Sequence, residues 1–484
     1  MRDVVGPEWI RTAVAERDTY ASDGLPTHRS RPGVVVLPGS HDEVVRLMRI
    51  VAHHRIPFVA RGAGTGLSGG ALANEGSVLI VLTRLTRILH IDPVNRFAVV
   101  EPGVVNTRLT EATRPLGLHY APDPSSQTVC TMGGNVAENA GGPHCLKYGV
   151  TSNHVLELLV VLPDGTVTTL GSPSGEPWGP DLVGLFVGSE GLFGIATRIT
   201  VRLTPIPSVT RTLFADFASL RQAGEAVSAI IASGTVPAAL EMMDRNCVHV
   251  VESSIYAAGY PTDADAVLLV ELDGRYEPAV EAECVTVERI LRAGGARTIR
   301  TAADPAERER LWHGRKKAFG ALGRLDSALM VQDTVVPRSA LPRVLERVEA
   351  IGAGLGIRIA NVFHAGDGNL HPNITFDETD AAEAARVREA SAAIIDACVA
   401  AGGTITGEHG VGVDKLQYMR LIFDPETLAA LSAIRLAFDP QEIANPGKVL
   451  PSTSRAGRAG RDPARHTPPA RIPQVEPTVQ GGDR

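Results

Sequence analysis

A chain of 484 residues is too long for one hydrophobic core and predicts two or three domains. Hydrophobic residues at 44% and charged residues at 21% are the composition of a water-soluble globular protein, while a net charge of -7 and 4% aromatics exclude a nucleic-acid footprint and base-stacking platforms. Cys130, Cys145, Cys247, Cys284 and Cys398 are scattered without metal-ligand or iron–sulfur spacing, which predicts reduced thiols and a cytoplasmic protein.

The N-terminus carries no apolar run of signal-peptide length. The longest apolar runs, such as Val78–Leu82, fall well short of the ~20 residues a membrane helix needs. Attachment at the inner face of a membrane through partners stays open. Residues 1–28 read as an amphipathic helical lead-in. From 29 to 207, β-branched runs (Val34–Leu37, Val78–Leu82, Ala98–Glu101, Leu156–Leu162, Ile199–Leu203) alternate with Gly-rich loops and a helix at His41–His53. Pro205-Ile206-Pro207 marks a boundary. From 208 to 451, helical patterns (Leu220–Ser233, Ala340–Gly352, Asp380–Gly402) and strands (Ala266–Leu272, Ile357–His364) predict a second α+β domain. Residues 452–484 are Pro-, Arg-, Gly- and Thr-rich without periodicity and read as a disordered tail.

The first chemical motif follows an apolar strand at Ile56–Ala60. It runs Arg61-Gly62-Ala63-Gly64-Thr65-Gly66-Leu67-Ser68-Gly69-Gly70-Ala71 and contains a G-x-G-x-x-G match. A nicotinamide fingerprint needs a helix directly after the loop. Here the chain passes through Asn74-Glu75-Gly76 into another strand, so that context fails. Five glycines in eleven residues still let successive N–H groups face one anion. Two further segments share this character. One joins Pro122-Asp123-Pro124-Ser125-Ser126 to Gly133-Gly134-Asn135 and Asn139-Ala140-Gly141. The other is Glu190-Gly191-Leu192-Phe193-Gly194-Ile195. Three such segments in one domain predict a single extended, phosphate-containing ligand.

The second centre lies in the C-terminal half. Gly366-Asp367-Gly368-Asn369 is strong turn chemistry that folds His364 back toward His371. Glu408-His409 stands between glycines. Two imidazoles and a carboxylate make a site for a divalent metal, Zn, Mn or Fe. The basic segment Leu311–Lys317, taken alone, is most often a solvated helix face.

Together these segments resemble the vanillyl-alcohol oxidase/para-cresol methylhydroxylase-type FAD-binding superfamily over roughly residues 30–450. The similarity is greatest to its 2-hydroxy-acid branch: the FAD-linked subunit of bacterial glycolate oxidase, the D-lactate dehydrogenases and D-2-hydroxyglutarate dehydrogenase. The resemblance implies an α+β fold with a two-lobed FAD-binding domain and an α+β substrate or cap domain. It implies FAD contacts from Arg61, Gly62, Ala63, Gly64, Thr65, Gly66, Ser68, Gly69, Pro122, Asp123, Ser126, Gly133, Gly134, Asn135, Asn139, Gly141, Glu190, Gly191, Gly194, Ile195 and Asn445. Members that attach FAD covalently use a histidine in the first loop; here Thr65 takes that place, so non-covalent FAD is expected.

The family further implies a metal on His364, His371 and Glu408, His409 as catalytic base, Asn373 in the substrate site, and Arg315 on the substrate carboxylate. The reaction so implied is metal-assisted oxidation of a small 2-hydroxy acid by hydride transfer to flavin N5. D-2-hydroxyglutarate dehydrogenase carries an extra lysine at the place of Val331–Thr334, and its absence here points to glycolate or D-lactate. Separate flavin and iron–sulfur subunits are the implied electron acceptors. A D-2-hydroxyglutarate-type enzyme and a non-redox flavin transferase of the alkyl-glycerone-phosphate synthase kind are the alternatives.

Overall fold

The computed structural model describes residues 1–25, 27–175 and 179–451; the expected tail at 452–484 lies outside them. The N-terminal stretch is not the continuous helical lead-in that its sequence suggests. It breaks into a helix Arg2–Val5, a 3-10 turn Pro7–Trp9, a strand β1 (Ile10–Arg11) and a helix Val14–Asp18. Gly6 takes a φ of 86°, outside the helical region, and Pro7 has no amide hydrogen with which to continue the helix.

Strands β2 (Val34–Val36), β3 (Phe58–Arg61) and β4 (Val78–Val81) are parallel in the order β2-β4-β3, and β1 pairs antiparallel with β2. The His41–His53 helix crosses over from β2 to β3, the two strands on either side of β4. Ser40 caps that helix by accepting from the Glu43 amide at 3.2 Å, and Asp42 and Glu43 complement the dipole. Val44, Leu47, Met48 and Val51 form its buried stripe.

Next come β5 (Ile88–Asp92), β6 (Phe97–Val100), β7 (Leu118–His119), β8 (Val155–Val161), β9 (Val167–Gly171), β10 (Ile195–Arg202) and β11 (Thr204–Pro205). Five of them form an antiparallel sheet ordered β5-β6-β10-β8-β9, and β7 pairs with β11. Val161 of β8 and Ile195 of β10 pack into the core of the first sheet.

The C-terminal half builds a larger antiparallel sheet from β12 (Val209–Phe217), β13 (Ala239–Asp244), β14 (Ala266–Gly274), β15 (Thr298–Thr301), β16 (Ala328–Val331), β17 (Thr334–Val335), β18 (Ile359–His364), β19 (Asn369–Leu370) and β20 (Pro372–Phe376). From its edge strand β15 the sheet runs β15-β12-β14-β13-β18. Leu213, Leu240, Leu268 and Phe363 face one core, covered by the helices Leu220–Ala232, Glu277–Ala293, Leu341–Leu355 and Ala381–Ala400. The alternate residues Phe214, Met243, Val267, Leu269 and Val362 face a second core with the helices Arg245–Glu252 and Pro305–Leu322. Glu241 of β13, His364 of β18 and Asn373 of β20 alternate with residues of the first core and so lie on this second side of the sheet. Among the described residues, no helix is long and apolar enough to cross a membrane.

Candidate active site

A cavity of about 620 Å³ holds both sequence motifs in one space. The stretch Arg61–Gly66 lines it, as do Ser126, Gly133, Gly134, Asn135, Gly141, Glu190, Gly191, Gly194 and Ile195. As expected from Asn74-Glu75-Gly76, the loop after β3 leads by turns into β4 and not into a helix. A Cβ on Gly62 would collide with Thr131 Oγ1, the oxygen that caps the Met132–Glu138 helix. The loop backbone at Gly62 therefore packs directly on the Thr131 side chain, at the start of the second glycine segment. In the glycine-rich part of the lining, Asn135 Nδ2, Glu138 Oε2 and Ser189 Oγ are buried without a partner among the described residues. A glycine cradle with unsatisfied donors and acceptors fits a large polar cofactor.

Six residues expected at the cofactor stand behind this wall. Ser68 carbonyl accepts from the Val413 and Asp414 amides at 2.9 and 3.2 Å, and Gly69 backs onto Val413. Pro122 carbonyl accepts from Asn106, and Asp123 pairs with His144 at 2.8 Å. Asn139 ends the Met132–Glu138 helix in the left-handed region, its Oδ1 accepting from the Ser152 amide. Asn445 donates to the Gly70 and Glu190 carbonyls. These six support the lining and do not form it.

The same cavity is lined by Arg315, His364, His371, Asn373, Glu408 and His409. The turn after β18 pairs His364 with Asn369 and brings the His364 and His371 rings to 5.3 Å, edge to face. His364 Nε2 and His371 Nε2 both point at Glu408 Oε1, at 3.4 and 3.2 Å. His371 Nδ1 lies 3.1 Å from the Gln332 carbonyl. Candidate ligand atoms of His364, His371 and Glu408 all fall within 4.8 Å of one another. Imidazoles oriented from behind, with their Nε2 atoms converging on a carboxylate oxygen, fit a divalent cation. His409 stacks on His371 at 5.1 Å and 9°. Burial pushes the His409 imidazole down to about 4, so it is neutral at pH 7 and free to accept a proton. Asn373 gives its Nδ2 to the Ala360 and His371 carbonyls, which leaves Oδ1 without a protein partner.

The segment Leu311–Lys317 departs from the solvated face that its charges suggest. In the Pro305–Leu322 helix, Arg308, Trp312 and Arg315 fall on one side and meet buried carboxylates of the sheet. Arg308 and Trp312 donate to Glu271 of β14, and Arg315 Nε donates to Glu241 of β13 at 2.7 Å. Lys316 and Lys317 are exposed yet also line the cavity.

Two carboxylates of the site, Glu241 and Asp333, escaped the sequence reading. Glu241, 1% exposed, holds both Arg315 and His364, the latter through Nδ1 at 2.8 Å. Burial works to raise its carboxyl, but Arg315 and His364 outweigh burial and hold it below the usual range. Asp333, fully buried, accepts from Thr406 Oγ1 and from the amides of Gly407, Glu408 and His409, and pairs with Lys415 at 3.0 Å. It fixes the backbone that carries the last two site residues. Although Asp333, His371 and His409 also approach as a second metal-sized group, the Asp333 oxygens are already occupied by these donors. Glu190 works from the other side, accepting from the Val411 and Gly412 amides at 2.7 and 2.8 Å. The available signal was a lone acid within an apolar strand, as in Ala239-Leu240-Glu241-Met242-Met243.

A glycine-lined cofactor cavity that opens onto a convergent His/Glu set defines a flavin-dependent oxidoreductase. Two family models cover most of the chain: an FAD binding domain over residues 32–171 and the C-terminal domain of FAD linked oxidases over residues 206–449. The chain belongs to the FAD-linked oxidases and binds FAD. It is 48% identical to glycolate oxidase subunit GlcD of Escherichia coli (strain K12), a match spanning 91% of this chain and 88% of that one. It is 32% identical to a D-lactate dehydrogenase of Anaerostipes hadrus over 92% and 95% of the two chains. The fold matches p-cresol methylhydroxylase with a TM-score of 0.79 at 18% identity, over 92% and 95% of the chains. The expected two-lobed, vanillyl-alcohol oxidase-like α+β architecture is the one observed.

Proposed function

We propose that the protein oxidises a small 2-hydroxy monocarboxylate, glycolate or D-lactate, to the 2-oxo acid. The observation that carries this is the meeting of Arg315, His409 and the His364/His371/Glu408 set at one end of the FAD cavity. The relatives named for glycolate and D-lactate support the choice of substrate. Bound non-covalently, FAD supplies the two-electron acceptor, while a divalent cation on His364, His371 and Glu408 supplies a Lewis acid for the substrate hydroxyl.

Arg315 holds the substrate carboxylate. Glu241 occupies its Nε side, and Nη1 is without a partner among the described residues, so the other edge of the fork is open to a ligand. Neutral His409 removes the hydroxyl proton as general base. Asn373 Oδ1 adds an acceptor beside the substrate. The apolar and glycine walls exclude water from the reacting carbon. Electrons leave to partner subunits that carry flavin or iron–sulfur groups, consistent with the word subunit in the Escherichia coli relative's name. We place the protein in the cytoplasm, held at the inner face of the membrane by those partners.

His409→Ala tests the base. It should keep FAD bound yet reduce it with glycolate or D-lactate at least about 100-fold more slowly. Near-normal reduction would remove His409 from that role. Chelation should abolish turnover while leaving FAD in place, and full activity after verified loss of metal would remove the cation.

A further inference from the structure

We infer that Glu241 is a positioning residue that couples the metal centre to the substrate-binding arginine, one oxygen orienting His364 and the other orienting Arg315. The inference rests on the roles proposed above for those two residues and deepens them.

The pairing of β13 with β18 sets Glu241 directly opposite His364. Oε1 lies 2.8 Å from His364 Nδ1, while Oε2 takes Arg315 Nε at 2.7 Å and Nη2 at 2.5 Å. Glu241 is cut off from water and, among the described residues, its side chain bonds only these two groups. A buried, shared carboxylate is polarised by whichever donor pulls harder.

The bond to Nδ1 fixes the His364 tautomer, so the lone pair of Nε2 faces Glu408 and the cation position. A cation at Nε2 makes the Nδ1 proton a stronger donor. Glu241 then leans toward His364 and draws less on Arg315, which leaves more of the guanidinium charge at its open edge for a substrate carboxylate. Cation and carboxylate should therefore assist each other's binding, and by linkage the assistance is reciprocal.

The test uses the full-length, flavin-loaded protein with Mn²⁺ and acetate as probes. Mn²⁺ affinity is read by equilibrium dialysis, and acetate affinity by its perturbation of the flavin spectrum; neither requires turnover. In Glu241→Gln, Mn²⁺ affinity should fall about 10- to 100-fold. Acetate affinity, measured without added Mn²⁺, should rise, because an amide holds the Arg315 guanidinium less strongly than the carboxylate does, while flavin per chain is unchanged. Arg315→Met removes a group that touches no proposed metal ligand, yet it should tighten Mn²⁺ by about fivefold, because Glu241 then serves His364 alone. The arginine variant still decides the matter if Glu241→Gln fails to fold. A Glu241→Gln protein that changes only one of the two affinities overturns the coupling, as does Mn²⁺ affinity unmoved by Arg315→Met. Wild-type protein that binds no Mn²⁺ overturns the metal assignment itself and the coupling with it, a result separable from the first two.

Discussion

Replacing Asp333 by Asn should separate stability from catalysis in a defined way. The wild-type carboxylate accepts from three consecutive amides, at 2.9 Å from Gly407, 3.1 Å from Glu408 and 2.9 Å from His409. It also takes the Thr406 hydroxyl at 2.6 Å and pairs with Lys415 at 3.0 Å, with Asp333 and Lys415 both buried. Removing one member of a buried pair leaves the other charge unpaired, at a cost of about 3–5 kcal/mol. The lost amide bonds add to this, but not additively, because they belong to one network. The loop then shifts, and a displacement on the order of 1 Å at the reacting groups costs about 100-fold in rate. Asp333→Asn should therefore melt several degrees lower and lose at least about 100-fold in kcat. Adding Lys415→Met removes the stranded charge, so the double variant should recover much of the melting temperature but not the rate. Flavin-fluorescence melting and steady-state assays read the two quantities. Wild-type kcat in Asp333→Asn, or joint recovery of rate and stability in the double variant, would refute the anchoring role.

Gly62→Ala should keep the fold but weaken FAD binding by at least about tenfold, because the new Cβ meets Thr131 Oγ1, the cap of the Met132–Glu138 helix in the cavity wall; fluorescence titration of the apoprotein measures it. Burial would raise the Glu271 carboxyl, but His144 and Arg308 outweigh it and pull it down to about 2, with Trp312 and Thr212 also donating to it. Its folded value is depressed, so its stabilising contribution is present above the unfolded value near 4.5 and is lost as pH falls from there toward about 2. The stability gap between wild type and Glu271→Gln should accordingly be level between about pH 5 and 6.5 and close in acid denaturation. On the same network, burial would lower His144 but Asp123 and Glu271 raise it to about 10, so its contribution is present below 6.5 and fades as pH rises toward 10.

Much of this site was legible because it was written in local chemistry. The glycine loop, the Gly366–Asn369 turn and Glu408-His409 carry their meaning in adjacent residues, and the helix expected at His41–His53 has those bounds in the structure. What escaped depends on contacts between distant segments. Glu241 meets Arg315 across 74 positions and His364 across 123, and Asp333 meets His409 across 76. A lone acid in an apolar strand signals a buried partner but not which one. The buried side of Arg315 was hidden for the same reason: a basic helix looks solvated until the sheet presents acids to it. The N-terminal helix expected over 1–28 was lost because pairing of Ile10–Arg11 with Val35–Val36 competes with helix propensity just beyond the Gly6-Pro7 break.

The most direct test of the central proposal is anaerobic titration of the flavin-loaded protein with glycolate, D-lactate, L-lactate and D-2-hydroxyglutarate, following flavin absorbance. Bleaching by glycolate or D-lactate at one equivalent per flavin, lost in His409→Ala, is the predicted result. Flavin that stays oxidised with both acids, or bleaches only with the dicarboxylate, would contradict it.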